Sequence, residues 1–132
     1  MQTIRDVETT TYYLKDDGVI PNSPNPLLVY PGAIDVDRNG AMTIERIFAA
    51  NTWDRSWRNG IYSFHHYHST AHEVLGIAKG YAKVQMGGPH GVTFSIQAGD
   101  VMVIPAGVGH KNLGASADLL VIGSYPPGPS WD

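Results

Sequence analysis

The 132-residue sequence contains no cysteine. Disulfide bonds, iron–sulfur clusters, cysteine-ligated zinc sites and a cysteine nucleophile are therefore excluded. Any metal ion that this chain binds must be held by nitrogen and oxygen atoms, which limits the side-chain ligands mainly to histidine and carboxylates.

Basic residues are also scarce. Only nine lysine and arginine residues occur, they are scattered singly along the chain, and the formal net charge is −3. A surface that binds a phosphate backbone needs clustered positive charge, so we expect no nucleic-acid partner.

Long hydrophobic segments are missing as well. The apolar run Val101–Ile104 is far shorter than the about 20 residues that cross a bilayer. The first residues, Met1–Asp6, lack the apolar core of a signal peptide. We therefore expect no membrane association and a cytoplasmic location.

Glycine and proline, by contrast, are abundant. Fifteen glycines and nine prolines divide the sequence into short segments, which is typical of all-β domains. The length and the 42% hydrophobic content fit one domain with a single core over residues 1–132. Within it we expect N-terminal strands and a helix over residues 1–52 and a metal-binding barrel over residues 53–126.

One helix and a series of short strands are predicted. The helix spans Ala41–Asn51, where Ile44, Ile47 and Phe48 share a face, and Asp37 or Asn39 is expected to cap its start. Candidate strands are Thr11–Leu14, Leu27–Tyr30, Ile61–His68, Glu73–Lys79, Tyr81–Met86, Val92–Gln97, Val101–Ile104, His110–Leu113 and Leu119–Ser124.

Two stretches are expected to lie outside the strands. The proline-rich stretch Pro21–Pro26 is predicted as a stiff connector, and Asp54, Arg55 and Arg58 are expected in a solvated loop. Trp53 and Trp57 are expected to serve packing or dimer contacts. Together the elements predict an antiparallel sandwich or barrel.

Histidines carry the strongest chemical signal. His66 and His68 would project from one face of an extended strand, and Glu73 follows after a short polar connection. Two imidazoles and a carboxylate on one face favour a divalent transition-metal site, which His110 can complete. The same four side chains could instead be polar core residues bonded to one another, although burying them without a metal leaves costly unsatisfied groups.

The spacing of nine positions extends this signal. Two patterns, G-x5-H-x-H-x4-E-x6-G and G-x5-P-x-G-x2-H, occur without gaps, and together they resemble the two motifs of the cupin family. The positions are Gly60, His66, His68, Glu73, Gly80, Gly99, Pro105, Gly107 and His110. The segment Phe64–Gly76 around the first motif is similar to the YjlB-type branch of single-domain bacterial cupins.

Membership of that family would imply a fold and a metal site. Cupins are RmlC-like jelly-roll barrels, also described as double-stranded β-helices, that commonly bind one divalent ion of iron, manganese, nickel, zinc or copper. Carried over, the resemblance assigns His66, His68, Glu73 and His110 as metal ligands. It also implies a homodimer. Gly114 stands where the family pattern usually has asparagine, which leaves the local turn in question but removes no ligand.

Substrate and reaction stay open at this stage. Tyr62 and Phe64 share the parity of His66 and are predicted to line an apolar substrate pocket, and Lys79 and Tyr125 are weaker candidates to reach a substrate. A metalloenzyme acting on a small polar metabolite as dioxygenase, decarboxylase or isomerase is one hypothesis. A non-catalytic metal or metabolite sensor is the alternative, and a structural cupin with a vestigial site is a third.

Overall fold

The computed structural model describes residues 4–36 and 39–127. Within these residues it contains nine strands and one helix. In chain order they are β1 Thr10–Leu14, β2 Ser23–Tyr30, α1 Gly40–Ala50, β3 Arg55–Asn59, β4 Glu73–Lys79, β5 Tyr81–Met86, β6 Val92–Gln97, β7 Val101–Ile104, β8 His110–Ala115 and β9 Leu120–Tyr125.

The strands form two sheets. The larger sheet has six strands in the order β1-β2-β7-β4-β9-β3, and the smaller has three in the order β6-β5-β8. Every paired neighbour is antiparallel. This confirms the all-β prediction of an antiparallel sandwich with one short helix. Because β2 pairs with β7, the first part of the chain contributes strands to the same sheet as the second motif.

Strand β4 lies in the middle of the larger sheet and is buried on both faces. Leu75 and Ile77 project into the main core, whose other members come from both sheets. Val74 and Ala78 project to the opposite face and pack in a second cluster with the helix. Alternation along one strand therefore supplies two apolar layers.

Helix α1 covers the outer face of the larger sheet. Ile44 and Phe48 are its buried anchors, as the spacing of its apolar residues predicts. Gly76 on β4 lies directly beneath them, and a Cβ atom there would approach Ile44 Cγ2 to 2.7 Å and Phe48 Cζ to 3.0 Å. Asn39 occupies the N-cap position, while Asp37 lies outside the described residues. At 11 residues α1 is short, and no helix in the described ranges is long and apolar enough to span a bilayer.

Three local predictions are wrong. Ile61–His68 is not a strand, because it meets its neighbours at isolated points only. Asp54, Arg55 and Arg58 were expected in a solvated loop, but Arg55 and Arg58 belong to edge strand β3, which pairs along its whole length with β9. The proline-rich connector ends early, since β2 already begins at Ser23 and tolerates its prolines where it pairs only with the edge strand β1.

Candidate metal centre

The loop between β3 and β4 crosses strand β8 at the end of the sandwich. Tyr62 O accepts a hydrogen bond from Asn112 N at 2.8 Å, and further along His66 and His110 form an isolated antiparallel bridge. His68 O then accepts from Gly107 N at 2.7 Å. These irregularly spaced hydrogen bonds hold the loop against the start of β8. His66 and His68 therefore lie beside His110.

The three imidazoles converge. One ring nitrogen from each of His66, His68 and His110 lies within 4.8 Å of the others. The ring centroids of His66 and His110 are 3.8 Å apart, and those of His66 and His68 are 5.8 Å apart. His110 is buried, whereas His66 and His68 are half-buried. The cluster is thus partly accessible to solvent.

Glu73 approaches this cluster from the core side. It is the first residue of β4 and is only 2% exposed. Its Oε1 lies 3.4 Å from His110 Nε2, and its Oε2 accepts a hydrogen bond from the indole Nε1 of Trp57 at 3.2 Å. The carboxylate is not one of the three mutually closest groups, but it faces the same centre through His110.

Tyr125, the last residue of β9, closes the inner wall. Its hydroxyl oxygen lies 3.0 Å from His68 Nε2. Burial, together with the neighbouring Glu73 carboxylate, raises the pKa of Tyr125 well above its usual range. The phenol therefore keeps its proton at neutral pH.

Protonation states at the site follow from this arrangement. Burial, reinforced by His110 and His68, lowers the pKa of His66 to about 4, so this imidazole is neutral at pH 7. Burial alone would raise the pKa of Glu73, but the side chains of His110, Tyr125 and His68 outweigh it and lower that pKa below 4.5. A neutral imidazole and an ionised carboxylate are the forms that bind metal ions.

The donor set fits a divalent metal ion. His110 Nδ1 lies 3.2 Å from the carbonyl oxygen of Val108, which can only accept. With the proton on Nδ1 and the ring neutral, Nε2 would be a lone-pair donor to a metal ion. Glu73 Oε1 and His66 Nδ1 are buried polar atoms to which no described residue gives a hydrogen bond. Buried polar atoms are nearly always paired, so these two atoms are compatible with a metal-ligand role. His65 Nδ1 is a third buried atom of this kind and lies outside the cluster.

A cavity of about 330 Å³ opens above the cluster. Its walls combine aromatic and aliphatic side chains with the four polar groups at the base. The main wall residues are Trp57, Ile61, Tyr62, Leu75 and Tyr125. A cavity of this size and lining suits one small molecule.

Of the two exposed residues predicted as pocket walls, only one lines the cavity. Tyr62 contributes to the cavity wall. Phe64 stacks on Tyr62, with ring centroids 4.9 Å apart, and more than half of its surface is exposed. A substrate contact by either residue stays a prediction.

Sequence reasoning missed Trp57. It was expected to serve packing or a dimer contact, yet it lines the cavity and bonds Glu73. The available signal was the alternation in Arg55–Asn59, where a single aromatic residue stands among polar neighbours as in a half-exposed edge strand.

Gly114, the departure from the family pattern, lies within β8 at a bulge rather than in a turn, and its N–H donates to Asn112 Oδ1 at 2.9 Å.

Comparison with known proteins agrees with the fold and the motifs. Residues 48–124 match the Cupin family model. The uncharacterised protein YjlB of Bacillus subtilis (strain 168) is 44% identical over 126 residues, which cover 95% of this chain and 74% of that protein.

Two solved structures are more distantly similar. A DUF861-family protein from Thermotoga maritima is 19% identical, with a TM-score of 0.43, over 63% of this chain and 89% of that one. Acireductone dioxygenase from Bacillus anthracis, with a cadmium ion in its active centre, is 15% identical, with a TM-score of 0.46, over 69% of this chain and 61% of that one. The match to the family model and the close relative decide the classification: this chain belongs to the cupin family, in which it is a YjlB-like member.

Proposed function

We propose that this cupin binds one divalent transition-metal ion through His66, His68, Glu73 and His110, and that it is a metalloenzyme acting on a small polar metabolite. One observation carries the proposal. A carboxylate that is 98% shielded from solvent leaves Oε1 without a hydrogen bond from any described residue, beside three converging imidazoles. Leaving such a group unpaired is costly unless a cation compensates it.

The side chains around the centre support small-molecule chemistry. A divalent ion supplies Lewis acidity, or a redox centre where it is iron, manganese or copper. Tyr125 keeps a proton at its hydroxyl oxygen next to His68 and faces the cavity. The aromatic and aliphatic walls limit the access of water, which strengthens polar contacts made inside. Dioxygenase, decarboxylase and isomerase reactions are all compatible with this set.

A sensor that binds a metabolite without converting it is the second candidate. It is favoured by the small number of groups available for proton transfer. Apart from the four residues of the proposed metal site, the ionisable side chains that line the described cavity are Tyr62, Tyr125 and Arg58. Arg58 is already bonded to Glu45 on the helix through two contacts of 3.0 and 2.6 Å. A site with so few groups for proton transfer can bind a chelating ligand and still lack turnover.

Elemental analysis of protein purified without an affinity tag tests the metal site. We expect close to one equivalent of a first-row metal in the wild-type protein and a large loss in His68→Ala. His90→Ala is the matched control, because His90 is exposed, lies in a turn and belongs neither to the imidazole cluster nor to the cavity lining. Less than about a tenth of an equivalent in the wild-type protein, after loading with each candidate metal, would contradict the proposal.

A panel of small metabolites then separates the two candidates. An enzyme converts at least one compound, and Glu73→Gln abolishes the turnover. A sensor raises its melting temperature with a bound compound, by an amount that follows the ratio of ligand concentration to Kd, while converting nothing. The homodimer, which light scattering checks, and the cytoplasmic location stay predictions.

A further inference from the structure

We propose that Trp57 is a positioning residue for the Glu73 carboxylate, and that Gly123, which has no side chain, leaves the space that the indole ring occupies. The inference rests on the proposed metal site and adds how one of its ligands is oriented. Trp57 acts on Glu73 and does not itself bind the ion.

The two carboxylate oxygens of Glu73 have different surroundings. Oε2 accepts the hydrogen bond from Trp57 Nε1 at 3.2 Å, whereas Oε1 lies 3.4 Å from His110 Nε2 and receives no hydrogen bond from the described residues. The indole N–H is a donor only, so it fixes an oxygen that carries a lone pair. With Oε2 held in this way, Glu73 presents a single oxygen to the imidazole cluster.

The backbone places the indole with little freedom. Strands β3 and β9 pair with Trp57 opposite Gly123, and β9 pairs with β4 so that Gly123 stands opposite Leu75. The ring extends from the edge strand across β9 toward Glu73 on β4. Three adjacent strands therefore set the distance between the indole and the carboxylate.

Gly123 is needed at this position for space. A Cβ atom there would lie 2.1 Å from both Cε2 and Cζ2 of Trp57 and 2.6 Å from Nε1. These separations are shorter than any real contact, so an added methyl group has to displace the ring. Gly123 is not among the described glycines with positive φ, so its backbone conformation does not itself require glycine. The missing side chain is what lets the indole lie flat over the strand.

Metal binding by variants of both residues tests the inference. Trp57→Phe keeps an aromatic ring and removes the N–H, and Gly123→Ala keeps the N–H and displaces it. Cobalt(II) serves as the probe because its visible spectrum reports coordination geometry. Loss of an outer hydrogen bond of this kind commonly weakens metal binding about 10–100-fold. We expect a loss of that size, with a spectrum changed toward higher coordination as Oε2 becomes available.

Trp53→Phe is the matched control. Trp53 is the other described tryptophan, it is half-buried, and it packs against the helix cluster on the far side of the sheet. Cobalt affinity and spectrum should be unchanged in this variant. In a Glu73→Ala background, which removes the acceptor, Trp57→Phe should have no further effect on affinity, which a purely structural role of the ring would not produce.

A measurement on metal-free protein separates this inference from the metal site itself. The indole N–H resonance of Trp57 should shift in Glu73→Gln while that of Trp53 stays in place. An unshifted Trp57 resonance, or cobalt binding in Trp57→Phe within about twofold of wild type and with the same spectrum, would overturn the positioning role. Failure of the wild-type protein to bind any metal, with the resonance shift present, would remove the metal site and leave only the contact.

Discussion

His66 and His110 exchange both of their backbone hydrogen bonds. His66 N donates to His110 O at 3.2 Å, and His110 N donates to His66 O at 2.9 Å. This closed pair anchors a loop that otherwise lacks regular pairing, and it brings the two rings to a centroid distance of 3.8 Å. Two of the metal-site side chains are thus positioned by the backbone before any ion binds.

The metal-free protein should lose stability as the pH falls from about 6.5 to about 4. The pKa of His66 is about 4 in the folded state against an ordinary value of 6.5, so the unfolded chain takes up a proton in this window and the folded chain does not. The free energy of unfolding therefore decreases as pH decreases. Urea titrations in the presence of a chelator at several pH values measure this decrease.

The His66→Gln variant identifies the group responsible. Its stability should depend less steeply on pH across the same window, whereas His90→Gln should keep the wild-type slope. A wild-type slope in His66→Gln would show that another group titrates. Glu73 also has a lowered pKa. Its contribution to the free energy of unfolding is likewise lost as the pH falls, but only at pH values below 4.5.

Removal of the Tyr125 hydroxyl should weaken metal binding. Tyr125→Phe keeps the ring in the cavity wall and deletes the oxygen that lies 3.0 Å from His68 Nε2. We expect a decrease in cobalt or zinc affinity of about tenfold, in line with other residues that support a metal ligand. Competition with a chromophoric chelator measures it. Tyr13→Phe, at a residue 72% exposed, is the control, and equal affinities in the two variants would refute the role of the hydroxyl.

Asn22→Ala should be strongly destabilising. The buried Asn22 side chain donates to Lys15 O at 2.8 Å and to Gly87 O at 3.0 Å, and it accepts from Gly109 N at 3.2 Å. Losing three hydrogen bonds costs about 2–4 kcal/mol in total. Alanine is in addition strained at the positive φ of 55° found here.

Urea denaturation of Asn22→Ala tests that value. Asn25→Ala, at an exposed position in β2 three residues further along the chain, should change the unfolding free energy by less than about 0.5 kcal/mol. Since Gly109 precedes His110, metal affinity should also fall in Asn22→Ala. A loss below about 1 kcal/mol would mean that the three contacts are weaker than their geometry indicates.

Gly76→Ala should destabilise the contact between helix and sheet. The new methyl group would overlap Ile44 Cγ2 at 2.7 Å, and overpacking a core in this way typically costs about 1–3 kcal/mol. Gly60→Ala is the control, because a Cβ atom at Gly60 would meet nothing within 4 Å. Thermal denaturation compares the two variants, and equal melting temperatures would contradict the expectation.

Much of the fold could be predicted from local pattern. The bounds of β4, β5, β6 and β7 coincide with the predicted strands, because glycine or proline turns mark both ends of β5, β6 and β7 and the C-terminal end of β4. Strand β3 was not predicted, because it is an edge strand. Its polar residues face solvent, and only its pairing with β9 makes it a strand.

The candidate site was less accessible to sequence reasoning. Parity in a strand suggested that His66 and His68 share a face, but the segment is a loop and its shape depends on isolated bonds to β8 and the preceding loop. The role of Trp57 depends on strand order, since β3, β9 and β4 are neighbours in space but distant in sequence. No local pattern reports such an arrangement.

The burial of β4 on both faces has a consequence for how the site opens. Amide protons of a central strand covered by a helix on one side and by the core on the other exchange with solvent only through global unfolding. Glu73 is the first residue of this strand, whose amides we expect to exchange slowly. His66 and His68 belong to a loop with few backbone hydrogen bonds among the described residues, whose amides we expect to exchange faster. An ion bound by both Glu73 and the loop histidines would link the loop to strand β4. Deuterium uptake by the loop should therefore slow markedly once metal is bound.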